Sequence, residues 1–246
     1  MINTILFDLD GTLLRFSQDE FIRVYFGELS KVFAKMGMDA KKSSEAVWSG
    51  TVAMARNDGS VLNKKRFWSR FAEQMELSSE ELSVVESACD SFYENEFDNV
   101  KSILKPSDDS TRIVRSMIEK GYTVVLATNP LFPLCGVSTR LSWIGLSPSD
   151  FALVTHYDNS SFCKPNPEYF REVLNKIGKE PAECLMVGNN PAEDMVAAKL
   201  GADVFLVTDC IENEHGVDIS GFRRGTLKEL EAYLNGFPDL LKMPSK

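Results

Sequence analysis

Asp8 and Asp10 stand two positions apart at the end of the apolar run Ile5-Leu6-Phe7, with Gly11 and Thr12 directly after them. A short β-branched and aromatic run that breaks into acids and a glycine predicts a buried strand whose C-terminal end delivers carboxylates to the edge where open α/β sheets bind ligands. Side chains alternate along a strand, so two acids of like parity enter one pocket if extended geometry persists that far. Two carboxylates converging on one site need a cation, a proton or both. A calcium-like turn or a solvated strand end would show the same short pattern, so the decision falls to the rest of the chain.

Three further stretches end apolar runs with chemically useful residues. Tyr122 to Ala127 predicts a second buried strand ending in Thr128-Asn129-Pro130, where the Thr128 hydroxyl and the Asn129 backbone N–H could bind a phosphoryl oxygen. A weaker strand through Phe151 to Val154 precedes Cys163-Lys164-Pro165-Asn166-Pro167, and a fixed Lys164 ammonium there would offset negative charge on Asp8 and on a transferring phosphoryl group. A fourth strand, Cys184 to Gly188, runs into Asn189-Asn190-Pro191-Ala192-Glu193-Asp194.

In this order the fragments resemble the four motifs of the haloacid dehalogenase superfamily, which opens on a strand ending in D-x-D-G-T. The resemblance implies Asp8 as a nucleophile that becomes a phosphoaspartate, Asp10 as general acid and base, and Mg²⁺ held by Asp8, the Asp10 carbonyl and the Asn189/Asp194 loop. It implies that Thr128, Asn129 and Lys164 hold the phosphoryl group. A carboxylate is a poor nucleophile towards a phosphate dianion unless a metal cancels the repulsion, which agrees with that assignment. The fourth motif departs from the family at Asn189, where an aspartate is usual: an amide carbonyl can ligate Mg²⁺, but one negative charge is lost. Asp194 is the expected second ligand, with Glu193 the alternative.

The elements that position these residues follow from periodicity. After Thr12 four helical patterns run in succession: Ser17-Gln18-Asp19-Glu20 reads as a capping box opening the first, and Ser78 to Glu81 as one opening the fourth. Four helices cannot be one βαβ crossover, so they form an insertion whose aromatic stripe, including Trp48, Phe67 and Trp68, is assigned mostly to core packing. Strand and helix then alternate through a fifth strand at Asp203 to Val207 and a last helix capped by Thr226 and Glu229. The fold expected is α/β, a doubly wound parallel sheet with an inserted α-helical cap domain. Residues 1–15 and 105–246 form the core and 16–104 the cap, hinged near 13–17 and 98–107.

Formal net charge of -9 and a pI of about 4.9 argue against nucleic acid or an anionic membrane as the main partner. Five scattered cysteines without a C-x-x-C pair read as free thiols of a reducing compartment. With no basic leader and no membrane-length apolar run, a cytoplasmic location is the expectation. His156 and His215 receive no role, and Lys64-Lys65-Arg66 reads as a solvated helix face. Arg15 and Arg56 are modest candidates for substrate contact.

The function expected is Mg²⁺-dependent hydrolysis of small phosphorylated metabolites through an aspartyl phosphate, in the manner of phosphoglycolate phosphatases. Asp10 argues against dehalogenation, whose enzymes in this superfamily lack the second aspartate. A sugar-phosphate mutase would need the same residues, and Asn189 motivates a non-catalytic phosphate-binding regulator. A signalling receiver domain is a poorer match, because its acceptor would end the third strand and it has no helical insertion.

Overall fold

The strands sit where apolar runs meet acids or small polar residues. The computed structural model describes residues 1–105 and 107–243; Pro106, where the sequence pattern resumes its alternation, and 244–246 lie outside them. In chain order the elements are β1 (Thr4–Phe7), α1 (Gln18–Lys35), α2 (Ala40–Ala55), α3 (Asn63–Met75), α4 (Ser79–Glu94), a 3₁₀ helix at Glu96–Ile103, α5 (Asp109–Glu119), β2 (Thr123–Leu126), α6 (Leu134–Ser142), β3 (Leu153–Val154), α7 (Pro167–Ile177), β4 (Cys184–Gly188), a 3₁₀ helix at Met195–Leu200, β5 (Asp203–Val207), β6 (Arg224–Gly225) and α8 (Leu227–Asn235).

All neighbouring strands pair in parallel, in the order β3-β2-β1-β4-β5-β6. Phe7 lies beside Leu126 on one side and Val187 on the other, so β1, β2 and β4 end at one level. Whatever follows those three strands therefore shares one edge.

Strand alternation divides the interior. Ile5, Phe7, Val124, Leu126, Leu185 and Val187 face one core, while Leu6, Val125, Ala127, Cys184 and Met186 face the other with Tyr169, Phe170 and Val173 of α7. Helices cover both faces, the doubly wound arrangement expected. Phe21 and Tyr25 of α1, Phe71 of α3 and Phe92 of α4 belong to the same apolar cluster as Ile5 and Phe7. Apolar packing is continuous across the boundaries drawn from the sequence at 15/16 and 104/105.

Several local expectations change. Ser17 is the N-cap of α1, but its side chain makes no capping hydrogen bond. Ser78 with Glu81 and Thr226 with Glu229 do form reciprocal capping boxes. The helix expected after Asn190-Pro191 is the 3₁₀ helix at Met195–Leu200, ended by Gly201 in the left-handed region, and β6 is a strand too short for periodicity to show. Trp48 is 54% exposed, so it is not a core residue. All five cysteines are free. Among the described residues no helix is long and apolar enough to cross a membrane.

Candidate active site

The backbone of Asp8 continues the β1 ladder, donating its N–H to the Val187 carbonyl at 2.9 Å, and the chain then folds back on itself. Gly11, at φ +76°, donates to Leu14 O at 2.8 Å, and a Cβ at this glycine would collide with the Asn189 amide. This turn returns Thr12 to Asp8: the Thr12 hydroxyl lies 3.0 Å from Asp8 Oδ2 and 3.2 Å from Asn189 Oδ1. Thr12, quoted in the motif without a role of its own, is thus the hydroxyl between nucleophile candidate and fourth-motif amide.

Lys164 is buried, and its ammonium donates to Asp8 Oδ1 at 2.9 Å and to Asp194 Oδ1 at 2.6 Å. Burial alone would lower its pKa, but the carboxylates of Asp194 and Asp8 hold it well above the usual lysine value. The ammonium is therefore a permanent charge aimed at Asp8.

In the fourth motif Asp194 accepts from Lys164 through Oδ1 at 2.6 Å and from the Asn190 N–H through Oδ2 at 2.9 Å, so it anchors Lys164 and keeps a further lone pair on each oxygen. A Cβ at Gly188 would strike the Asp194 carboxylate, which explains the glycine that ends β4. Burial raises the Asp194 pKa and the Lys164 ammonium opposes the rise. Asn189 donates through Nδ2 to the Cys210 carbonyl at 2.7 Å, which turns its Oδ1 towards Thr12 and Asp8. Glu193 accepts from Asn129 Nδ2 at 3.1 Å, and burial pushes its carboxyl above the usual range.

Thr128 is buried, with its carbonyl held by the Thr155 hydroxyl at 2.6 Å and the Tyr169 hydroxyl at 2.9 Å. Asn129 Oδ1 is buried without a partner among the described residues. The structure thus brings Asp8, Asn129, Lys164, Asn189 and Asp194 together through hydrogen bonds, with Thr128 joined through its neighbour and Tyr169. Arg15 and Arg56 are not joined to them: Arg15 pairs with Asp209 at 3.0 Å, and Arg56 is an exposed residue at the end of α2. Lys64 is bound to Glu86 and Asp158, and Arg66 to Asn57 and Asp58.

Asp10 lies close enough to Asp8 to feel its charge, yet its carboxylate has a partner the sequence reading missed. Arg140 of α6, wholly buried, pairs its Nη1 with Asp10 Oδ2, while its guanidinium carbon stands 4.1 Å from the centre of the Phe132 ring. Burial raises the Asp10 pKa, Arg140 pulls it down and Asp8 adds to the rise. The available signal was an arginine among Gly136, Val137 and Leu141, on the face of α6 that is buried. Buried arginines are rare because an unpaired one is costly. Arg140→Met should therefore lower unfolding free energy by about 3 kcal/mol, measured by urea denaturation, because Asp10, only partly open to solvent, is left without its cation; adding Asp10→Asn should recover most of the loss. Equal losses in single and double variants would mean that the pair is not the cause.

Hard oxygen donors for a divalent cation are present: the Asp8 carboxylate, the Asp10 carbonyl and Asn189 Oδ1. Among the described residues no three His, Cys, Asp or Glu side chains are grouped as a metal cage, so carbonyl oxygens would complete such a site. Charge favours it. The carboxylates of Asp8, Asp10, Glu193, Asp194 and Glu212 outnumber Lys164 and Arg140, and burial together with those neighbours pushes Glu212, another residue sequence reasoning missed, up to about 7. The residues present fit a small hard cation.

Comparison with known proteins gives three findings. Residues 2–201 match the family described as haloacid dehalogenase-like hydrolases. By sequence the chain is 22% identical over 213 residues to a bifunctional riboflavin kinase/FMN phosphatase of Arabidopsis thaliana, covering 86% of this chain and 50% of that protein, and 22% identical over 213 residues to the pyrophosphatase PpaX of Halalkalibacterium halodurans, covering 87% and 86%. The chain spans about half the length of the plant relative. By structure it is similar to a 2-haloacid dehalogenase of Pseudomonas syringae pv. tomato, with TM-score 0.62, 18% identity and coverage of 96% and 99%. At that identity the likeness concerns the fold and does not choose a chemistry.

Proposed function

Because the chain belongs to the haloacid dehalogenase-like hydrolase family, we propose that it hydrolyses small phosphate monoesters through a phosphoaspartate on Asp8, with Mg²⁺ as cofactor. The observation that carries this reading is Asp10, a second carboxylate within charge-sensing range of Asp8 and partly open to solvent, its side chain 23% exposed. Dehalogenation has no use for it, whereas ester hydrolysis needs a proton donor and then a base.

An Asp8 oxygen attacks phosphorus and the bond to the leaving oxygen breaks as Asp10 gives that oxygen its proton. Water then attacks the phosphoaspartate, Asp10 takes the water's proton, and the bond from phosphorus to the Asp8 oxygen breaks to release inorganic phosphate. Lys164, fixed by Asp194, offsets charge on Asp8 and on the phosphoryl oxygens throughout. Thr128 and Asn129 orient the phosphoryl group. Mg²⁺, held by Asp8, the Asp10 carbonyl and Asn189, would supply the charge neutralisation that lets an anion approach an anion. The segment 16–104 acts as a cap over this edge. Supporting that role, Asn63 at the start of α3 donates its N–H to Ser160 O at 2.8 Å, Lys64 donates to Tyr157 O at 2.9 Å, and Asn63 Nδ2 lies 3.4 Å from Pro130 O, beside the Thr128 loop.

The test is a Mg²⁺ titration of ester hydrolysis in wild type and Asn189→Asp. Restoring the charge should shift half-maximal activity to a several-fold lower Mg²⁺ concentration. Without metal the same variant should be less stable, since a carboxylate would face the Cys210 carbonyl in place of the 2.7 Å hydrogen bond. An unmoved metal requirement removes Asn189 from the cation's ligands. Wild type inactive on every ester at saturating Mg²⁺ favours the regulatory phosphate-binding alternative.

A further inference from the structure

Helices α1 to α4 and the loop after β2 enclose a cavity of about 180 Å³ that the reaction chemistry above does not use. Its wall comprises Phe21 and Tyr25 of α1, Trp68 of α3 and Tyr93 of α4, with Phe132 and Tyr157 from the sheet side. No charged side chain among the described residues lines it. Phe132 follows the Thr128-Asn129 turn and Tyr157 follows β3, so the cavity lies at the sheet edge that carries Asp8.

Two contacts tie it to the reacting groups. The Phe132 ring faces the Arg140 guanidinium at 4.1 Å, and that guanidinium holds Asp10. Gln18 lines both this cavity and the cleft that reaches Cys210 and Glu212, next to Asn189. Exposed Trp48 and Gln18 form its open side.

We propose that this cavity receives an uncharged aromatic group of the substrate, the organic part of the phosphate ester. The proposal rests on the phosphatase reading above and names the class of ester. A wall of rings already set at steep angles, Phe21 to Phe132 and Tyr25 to Phe132 both at 70°, offers edges and faces to a flat guest. Left empty, an apolar space of this size forfeits dispersion contacts along its lining. The Tyr25 and Tyr93 hydroxyls satisfy each other at 2.7 Å, so these polar atoms of the wall make no demand on an apolar guest. A polyol or a second phosphate would lose its water here and find few partners.

The experiment compares kcat/KM for benzyl phosphate and glycerol 3-phosphate in wild type, Thr51→Phe, which fills the cavity, and Trp48→Ala, which removes an exposed wall residue and spares the fold. Wild type should favour the benzyl ester by roughly 10- to 100-fold, and both substitutions should reduce that ratio, Thr51→Phe towards unity. The ratio cancels general losses of folded protein. Equal kcat/KM values for the two esters in wild type, or a preference untouched by either substitution, overturn the proposal and leave the phosphatase reading intact. If no ester is hydrolysed, that reading fails on its own, and a tryptophan fluorescence titration with benzyl alcohol decides the cavity. Saturable quenching lost in Thr51→Phe upholds an aromatic site, and its absence overturns one.

Discussion

Asp8→Asn is expected to abolish phosphate ester hydrolysis, with a loss of at least about 10⁴-fold, while the protein remains folded. An amide has no anionic oxygen to attack phosphorus, and the substitution also removes a carboxylate offered to the cation. The fold should survive because Lys164 keeps its second partner, Asp194, at 2.6 Å and Thr12 keeps Asn189 at 3.2 Å. Circular dichroism and a melting curve check the fold, and a phosphoryl adduct sought by intact-mass analysis after rapid quenching checks the intermediate. The adduct should form in wild type and be absent in the variant. Wild-type-like turnover in Asp8→Asn would end the phosphoaspartate reading.

The second large effect is expected at Asp10, where Asp10→Asn should lower turnover by roughly 10²- to 10⁴-fold, the range for general acid and base work. The loss should be smaller for esters with good leaving groups, because the first step then needs no proton. With such an ester the second step becomes limiting, since nothing activates water, and the phosphoaspartate should accumulate as a burst of released alcohol. Equal losses on activated and unactivated esters, with no burst, would count against this role. Asp10→Asn also leaves Arg140 buried without its anion, so the double variant with Arg140→Met is the control that separates chemistry from destabilisation.

Much of the site was readable along the chain because strand ends are local features. Apolar runs that stop at Asp8, Thr128 and Asn189 specify where each strand meets solvent, and parallel pairing then places those stops at one level, as Phe7 beside Leu126 and Val187 shows. Lys164 was found for a similar reason, being tethered between β3 and the Pro167 start of α7. Capping boxes at Ser78 and Thr226 form because their partners lie within one turn. The Ser17 box does not form, although its residue pattern is the same.

What spacing could not reveal depends on partners far apart in sequence. Arg140 looks like any helix arginine until α6 packs against the turn that carries Asp10. Asp194 has the spacing of a metal ligand, and only the tertiary structure shows that it also meets Lys164 in space and anchors it. Trp48 fits a core stripe on its own helix yet stands exposed at the mouth of an aromatic cavity, because α2 buries Ser43, Ala46, Val47, Gly50 and Met54 instead. The order of apolar and polar residues, acting through strand parity and turn geometry, determined that Asp8 and Asp10 reach one sheet edge with Thr128, Lys164 and Asn189. The tertiary structure decided which charges face one another there and what shape of molecule can lie above them, since long-range pairing and the gaps between packed helices arise only when distant segments meet.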